Sequence, residues 1–188
     1  MTNDNCLFVV SGPAGVGKDS VVAALRAAHP EIEKTVSATT RAPRPGETDG
    51  VSYHFLTAAA FEKLKAEDGV LESNFYCGNY YGTLRSEVDS RLEKRKAVVL
   101  VIDVNGAANV KRLYPGATTV FLCPPSAEEL ERRLRGRGTE TEESLHRRLE
   151  RAHAELALAD TYDARLVNRD VAACAADLYA LICARCRG

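Results

Sequence analysis

The sequence predicts an α/β protein built on a parallel β-sheet with helices on both faces. Residues 6–10 (CLFVV) form a short, continuous apolar run, which is typical of a strand buried on both faces. A glycine-rich turn and a predicted helix at 19–28 follow directly. Strands alternating with helices favour a parallel sheet. The remaining core elements continue this alternation, with strands at 97–102, 118–122 and 164–167 and helices at about 107–113 and at 171–186.

Two stretches interrupt the alternation. Residues 35–83 hold short alternating pieces, turn residues and several tyrosines, which predicts a small mixed β insertion. A charged helical stretch is broken at Gly136-Arg137-Gly138, which predicts a helical lid with a mobile elbow. We therefore expect a core of residues 1–34, 84–124 and 156–188, an insertion of residues 35–83 and a lid of residues 125–155.

Composition indicates a globular protein without bulk attraction for polyanions. Of the 188 residues, 45% are hydrophobic and 27% are charged, and 25 Lys and Arg nearly balance 26 Asp and Glu. This balance disfavours nucleic acid or an anionic membrane as the partner, so any basic site must be local. The chain has no apolar run of membrane-spanning length and no signal-peptide pattern. We expect a cytoplasmic protein that is a monomer or a homodimer.

The six cysteines are expected to be thiols, as is usual in a reducing compartment. Cys183 and Cys186 form a CxxC within an apolar predicted helix, where their spacing places both on one face. Packing is the simpler interpretation of this pair, and zinc binding or redox use is the alternative.

A phosphate-binding loop lies between the first predicted strand and the first predicted helix. The segment GPAGVGKD fits the pattern GxxxxGK. Glycines let backbone N–H groups approach phosphate oxygens, the helix N-terminus adds positive potential, and the lysine reaches the outer phosphates. The alternative is a glycine-rich turn with an exposed lysine, but the strand before the loop and the helix after it favour a nucleoside triphosphate. The predicted binding residues are Gly12, Pro13, Ala14, Gly15, Val16, Gly17 and Lys18.

The residue after Lys18 departs from the usual form of this loop. A Ser or Thr at that position ordinarily contributes its hydroxyl to Mg²⁺, whereas here Asp19 occupies the position and Ser20 follows. A carboxylate can ligate Mg²⁺ directly or through water, although it adds negative charge beside the triphosphate. The sequence predicts Mg²⁺ bound with the nucleotide, with Asp19 or Ser20 as its protein ligand.

A second anion site is predicted in the insertion. In the segment TTRAPRPGE, Arg41 and Arg44 lie three residues apart in a proline-stiffened loop, and two guanidinium forks on such a loop can clamp a phosphate. Tyr53 and Tyr81, the latter in GNYYGT, add hydroxyl groups that can donate to phosphate oxygens. Each signal is weak by itself, because a lone arginine is usually a surface charge and a tyrosine usually packs.

The order and spacing of six segments resemble the guanylate kinase family over nearly the whole chain. The segments are SATTRAPRPGE, DGVSYHF, GNYYGT, VIDVNGA, LERRLRGRGTETEESLHRRL and LVNRD. The resemblance implies a P-loop core, a GMP-binding insertion and a lid, and the reaction ATP + GMP to ADP + GDP with Mg²⁺.

The resemblance also implies roles for particular residues. The acceptor phosphate would be held by Arg41, Arg44, Tyr53 and Tyr81. Guanine N–H groups would donate to Glu72 and Asp103, and Ser37 and Thr83 would donate to its carbonyl or ring nitrogen. Lys18, Arg41 and two lid residues, Arg137 and Arg148, would be catalytic. Asn168 would lie beside adenine, although Arg169 replaces the aspartate usual next to it.

Three other functions stay open at this point. The run GKDS also resembles ribose 1,5-bisphosphate phosphokinases of the same wider fold, which would explain Asp19 but not TRAPRPGE together with GNYYGT. Some guanylate-kinase-like domains are peptide-binding scaffolds that have lost the ATP loop, whereas this chain retains it. A nucleotide-binding domain without turnover would result if Asp19 failed to hold Mg²⁺.

Overall fold

The computed structural model describes residues 4–94, 96–136 and 142–186. Its strands are β1 (Leu7–Ser11), β2 (Glu33–Lys34), β3 (Ala38–Thr39), β4 (His54–Phe55), β5 (Val70–Tyr76), β6 (Asn79–Leu84), β7 (Val98–Val101), β8 (Thr118–Cys123) and β9 (Ala164–Val167). Its helices are α1 (Lys18–Ala28), α2 (Ala58–Ala66), α3 (Arg85–Leu92), α4 (Val104–Leu113), α5 (Ala127–Arg135), α6 (Glu142–Leu156) and α7 (Val171–Cys186).

A five-stranded sheet in the order β2-β7-β1-β8-β9 forms the core, and every neighbouring pair in it is parallel. The predicted α/β fold with a parallel sheet is therefore confirmed. Because parallel strands end at the same edge of a sheet, the loop after β1, Asp103 after β7 and Asn168 after β9 meet at one edge. Ligands of open α/β sheets bind in this place.

The central strand β1 is fully buried, and its side chains alternate between two apolar layers. Phe8 and Val10 pack in a layer that includes residues of α1 and α7. Leu7 and Val9 pack in the opposite layer with residues of α3 and α4. Burial on both faces explains why this segment reads as a continuous apolar run.

The insertion forms a second, mixed sheet in the order β4-β3-β6-β5. Strands β5 and β6 make a hairpin whose turn, Cys77-Gly78, has positive φ at both residues (48° and 78°). Phe61 of α2 is buried against this sheet. The sheet lies beside the carboxyl-terminal edge of the core and supplies one wall of the cleft described below.

Helices α5 and α6 pack against each other through their own small apolar cluster, formed by Leu130, Leu134, Leu145 and Ala152. Their position matches the segment predicted as a lid. Arg137 and Gly138 of the predicted elbow lie outside the described residues. Whether this unit moves, and the division into core, insertion and lid, stay predictions.

Several boundaries differ from those that the sequence pattern predicts. The first strand is Leu7–Ser11, because Cys6 closes a turn of 3-10 helix. Helix α4 begins at Val104 and not at about 107, because the Asp103 carboxylate accepts from the Gly106 N–H at 2.9 Å and caps the helix. The pattern does not predict β2, α2 or α3, which are short and carry weak periodicity.

All six cysteines lie among the described residues, and the structure has them as thiols. Among the described residues, no helix is both long and apolar enough to cross a membrane.

Candidate active site

At three positions of the phosphate loop, the backbone has a conformation that only glycine adopts readily. Gly12, Gly15 and Gly17 have φ values of 140°, 83° and 94°. A Cβ at Gly12 would lie 2.4 Å from the Leu122 carbonyl oxygen, so this position also lacks room for a side chain. The Lys18 ammonium donates to the carbonyl oxygens of Gly12 at 2.5 Å and Pro13 at 3.1 Å. The loop therefore curls around the lysine that opens α1.

Two side chains hold the loop from behind. Asn168 is 1% exposed, and its amide donates to the Val16 carbonyl at 2.8 Å. Arg133 of α5 donates to the same carbonyl at 3.3 Å and to the main-chain carbonyl of Asn168 at 3.1 Å. The structure thus places Asn168 as a support of the loop, and its contact with adenine stays a prediction. The loop-holding role of Arg133 was not apparent from the sequence, where it is one arginine in a charged run.

Asp19 and Ser20 follow the loop in the first turn of α1. The Asp19 side chain is 81% exposed, and its carboxylate lies 3.2 Å from the Lys34 ammonium. It borders a cavity of about 750 Å³ whose lining also includes Lys18, Ser37, Tyr53 and Asp103; we call this the insertion-side cavity. Ser20 is exposed, and the described lining of this cavity includes Asp19 but not Ser20.

Glu72 projects from β5 toward the core edge. The Thr83 hydroxyl, directly opposite on β6, donates to the Glu72 carboxylate at 2.7 Å. Burial raises the pKa of Glu72 and the nearby Asp103 charge adds to the rise, whereas the hydrogen bonds from Thr83 oppose it. A partly buried carboxylate with unused acceptor sites is suited to a ligand that offers N–H donors.

Asp103 lies where β7 meets α4 and faces the same space. One carboxylate oxygen caps α4, and the other accepts from the Asn74 amide at 3.2 Å and lies 3.9 Å from the Arg151 guanidinium. Arg151 belongs to α6 and also pairs with Glu155 at 2.8 Å. The sequence pattern indicates Asp103 but neither Asn74 nor Arg151, because the proximity of these two to Asp103 depends on how β5 and α6 meet the core.

Glu47 orders the loop that carries Arg41 and Arg44, the two arginines predicted to clamp a phosphate. The Arg41 guanidinium pairs with the Glu47 carboxylate at 2.8 Å and lies 5.5 Å from the Tyr53 ring centroid. The Tyr53 and Tyr81 rings meet edge to face at 6.1 Å. The Arg44 side chain is exposed on the same loop, and the Arg44 backbone N–H donates to the Glu47 carboxylate at 2.7 Å. Glu47 thus organises the loop, a role that the sequence analysis did not assign.

Arg148 of α6 borders a second cavity, of about 460 Å³, together with Gly12, Lys18 and Asp103; we call it the lid-side cavity. Arg137, the other predicted catalytic arginine of the lid, lies outside the described residues. Arg132 and Arg135 pair with glutamates of their own helix at 2.7 and 2.9 Å. The structure therefore brings one predicted lid arginine to the phosphate loop.

Comparison with known proteins identifies the family. A family model described as Guanylate kinase matches residues 5–185. The chain belongs to the guanylate kinase family. The resemblance that the sequence segments suggested is confirmed.

Individual members of the family match over most of their length. A guanylate kinase of Gloeobacter violaceus is 53% identical over 167 residues, which cover 89% of this chain and 82% of that protein. One from Thermobifida fusca is 52% identical over 178 residues, covering 95% and 91%. The crystal structure of guanylate kinase from Anaplasma phagocytophilum superposes with a TM-score of 0.72 at 30% identity, covering 95% of this chain and 84% of that one.

Proposed function

We propose that this protein transfers the γ-phosphoryl group of ATP to GMP, giving ADP and GDP. The observation that carries the proposal is that two subsites share one cleft: Lys18 and Asp103 border both the insertion-side and the lid-side cavity. One subsite has the features of a triphosphate loop. The insertion-side cavity adds Ser37 and Tyr53, and Glu72 lies with Asp103 in an adjoining pocket.

Guanine is the base whose N–H donors suit the carboxylates of Glu72 and Asp103. Its Watson–Crick edge offers the N1–H and the exocyclic amine as donors, whereas adenine offers an acceptor at N1. Glu72 and Asp103 would accept from the guanine donors, and Ser37 and Thr83 would donate to its acceptors. AMP would leave a partly buried carboxylate facing a lone pair, and such mismatches are rejected strongly.

The transfer needs in-line positioning and charge neutralisation and no covalent intermediate. An oxygen of the GMP phosphate forms the new bond to the γ-phosphorus, and the bond to the β,γ-bridging oxygen breaks. Lys18 and the loop N–H groups would hold the donor phosphates. Arg41, Arg44, Tyr53 and Tyr81 would hold the acceptor phosphate. Arg148, with Arg137, would cover the transferred group from the lid.

Asp19 fits a magnesium ion that accompanies ATP. Its carboxylate is exposed and borders the same cavity as Lys18. The described residues contain no cluster of three or more His, Cys, Asp or Glu side chains that could hold a metal. Mg²⁺ typically keeps several waters and binds phosphates with only one or two carboxylates, which agrees with a single protein ligand. The ion would neutralise charge on the donor phosphates.

The proposed partners are the two nucleotides, and the balanced charge of the chain supports no role for nucleic acid. A cytoplasmic location and a monomeric or homodimeric state stay predictions.

A substrate panel tests the proposal. ADP formation would be followed with ATP and Mg²⁺ plus GMP, AMP, IMP or ribose 1,5-bisphosphate, with and without excess chelator. We expect turnover with GMP that far exceeds the others and is lost with chelator. Absence of ADP with GMP would refute the proposal, turnover with ribose 1,5-bisphosphate alone would favour the phosphokinase alternative, and absence of turnover with every acceptor would favour a binding module.

Replacing Arg41 by alanine is expected to raise the Michaelis constant for GMP by about 100-fold, because a guanidinium–phosphate contact is lost. The dissociation constant of ATP should change little, because Arg41 lies on the insertion loop with Glu47. Steady-state kinetics and ATP titration check this. Glu47→Gln is the control, since it removes the ion pair but retains the guanidinium, and its effect should be smaller. Equal losses for the two nucleotides would argue against the clamp.

Gly106→Ala is expected to impair GMP use without lowering stability. A Cβ at Gly106 would lie 2.9 Å from a Glu72 carboxylate oxygen and 3.2 Å from its Cδ, so the carboxylate must move. Alanine is favoured over glycine in a helix by about 1 kcal/mol, which offsets the crowding. We expect a Michaelis constant for GMP raised about tenfold or more, an unchanged constant for ATP, and an unchanged melting temperature. Unaltered GMP kinetics would show that GMP binding does not depend on the present position of the Glu72 carboxylate.

A further inference from the structure

Asn74 lies on the face of β5 that also carries Glu72. Side chains two residues apart on a strand share a face, and those directly opposite on the neighbouring strand lie close by. Glu72 pairs in register with Thr83, and Asn74 pairs with Tyr81. The residue between them, Ser73, faces the other way, because a Cβ at Gly82 would meet both Ser73 and Phe61 of the buried layer. Asn74 therefore stands between the predicted base-binding and phosphate-binding residues.

The Asn74 amide reaches across the cleft to the core. Its N–H donates to the Asp103 oxygen that does not cap α4, at 3.2 Å. With the Gly106 N–H on the other oxygen at 2.9 Å, each Asp103 oxygen receives a hydrogen bond from a different element. A carboxylate has about four acceptor sites, so two held by the protein fix its plane while others stay open to a ligand.

The charges around the site give a reason for an amide at this position. Glu72 and Asp103 are close enough for the Asp103 charge to contribute to the raised pKa of Glu72. A third carboxylate here would add repulsion, and an apolar residue would leave this Asp103 oxygen with only the Arg151 guanidinium, at 3.9 Å. A neutral amide supplies the donor without adding charge.

We infer that Asn74 is a positioning residue that determines specificity for the 2-amino group of guanine. It holds the Asp103 carboxylate in the orientation that accepts from this amine. The inference rests on the proposed function and adds a residue that acts in recognition of one functional group of the acceptor, the 2-amino group. Asn74 should therefore affect kcat/KM for GMP but not for IMP, which is the same nucleotide without the amine.

The test compares GMP and IMP in the wild-type protein and in Asn74→Ala. For GMP we expect kcat/KM to fall by about tenfold or more, mainly through KM, because a hydrogen bond involving a charged group is lost. For IMP, kcat/KM should stay within about twofold, since the lost contact concerns an amine that IMP lacks. A fall of equal size for both nucleotides, or no fall for GMP, would overturn the inference.

Two further variants keep the result unambiguous. Asn74→Asp retains the shape and one acceptor but loses the donor, and we expect it to lose GMP selectivity as well; retained selectivity would overturn the donor role. Ser73→Ala, on the opposite face of β5, should leave the GMP to IMP ratio unchanged, and a comparable loss there would also overturn the inference. Wild-type turnover with GMP is measured first, because its absence would refute the proposed function itself, and the inference with it.

Discussion

Replacing Lys18 by methionine is expected to lower kcat by about 1,000-fold, because the transition state loses a preorganised positive charge at the transferred phosphoryl group. Methionine keeps much of the aliphatic length, so packing at the start of α1 should survive. The ammonium now bonds to the Gly12 and Pro13 carbonyls, so the loop loses two hydrogen bonds as well. Steady-state rates at saturating ATP and GMP measure the effect, and circular dichroism checks that the fold is retained.

The matched control for this substitution is Lys63→Met. Lys63 is an exposed lysine of α2 that pairs with Glu67 at 3.9 Å and borders neither the insertion-side nor the lid-side cavity. Its replacement removes the same charge, and we expect the rate to change by less than about twofold, because exposed ion pairs contribute little. If Lys18→Met retained more than about a tenth of the wild-type rate, the loop would not perform the role assigned to it.

Glu72→Gln is expected to lower kcat/KM for GMP by about 100-fold, because charge-assisted acceptance from guanine is lost and the new amide can present a donor to another donor. Stability should not fall, since burial already disfavours the charged form of Glu72. Kinetics with GMP, together with a thermal melt, separate the two effects. A variant with wild-type GMP kinetics would exclude Glu72 as the residue that reads the base.

The same residue predicts a pH dependence. Burial raises the pKa of Glu72 above its ordinary value, with Asp103 adding to the rise, so the carboxylate is protonated at a higher pH than an exposed glutamate. Because the ionised form accepts from guanine, kcat/KM for GMP should fall as the pH falls through this raised pKa. The phosphate of GMP titrates in both proteins, so the difference between wild type and Glu72→Gln isolates Glu72. Identical acid limbs would contradict this assignment.

Much of the core could be predicted from local patterns. Residues 6–10 read as a buried strand because β1 is covered on both faces, and the glycines of the loop are visible because each meets a backbone requirement that few other residues satisfy. Lys18 and Arg41 can be recognised because each lies in a short sequence motif, GPAGVGKD and TTRAPRPGE. Physical requirements of this kind act on neighbouring residues and leave a trace in the sequence.

The parts that were missed depend on contacts between distant segments. Asn74 meets Asp103 across 29 positions, and Arg133 meets Val16 across 117. Arg151 pairs with Glu155 on its own helix much as Arg147 pairs with Glu143, so nothing local separates the two arginines. Glu47 lies in the same sequence motif as Arg41. Its hydrogen bonds from the Arg41 guanidinium and the Arg44 backbone N–H, however, depend on the turn that the prolines impose.

Transfer of a labelled γ-phosphoryl group tests the central claim most directly. The protein would be incubated with ATP labelled in the γ-phosphate, Mg²⁺ and GMP, and the products separated by chromatography. We expect the label to appear in GDP in amounts equal to the ADP formed, with little free phosphate, because the loop, the arginines and the lid direct the group to GMP and exclude water. Label released mainly as free phosphate, or retained in ATP while GMP is present, would contradict the assignment of the two subsites.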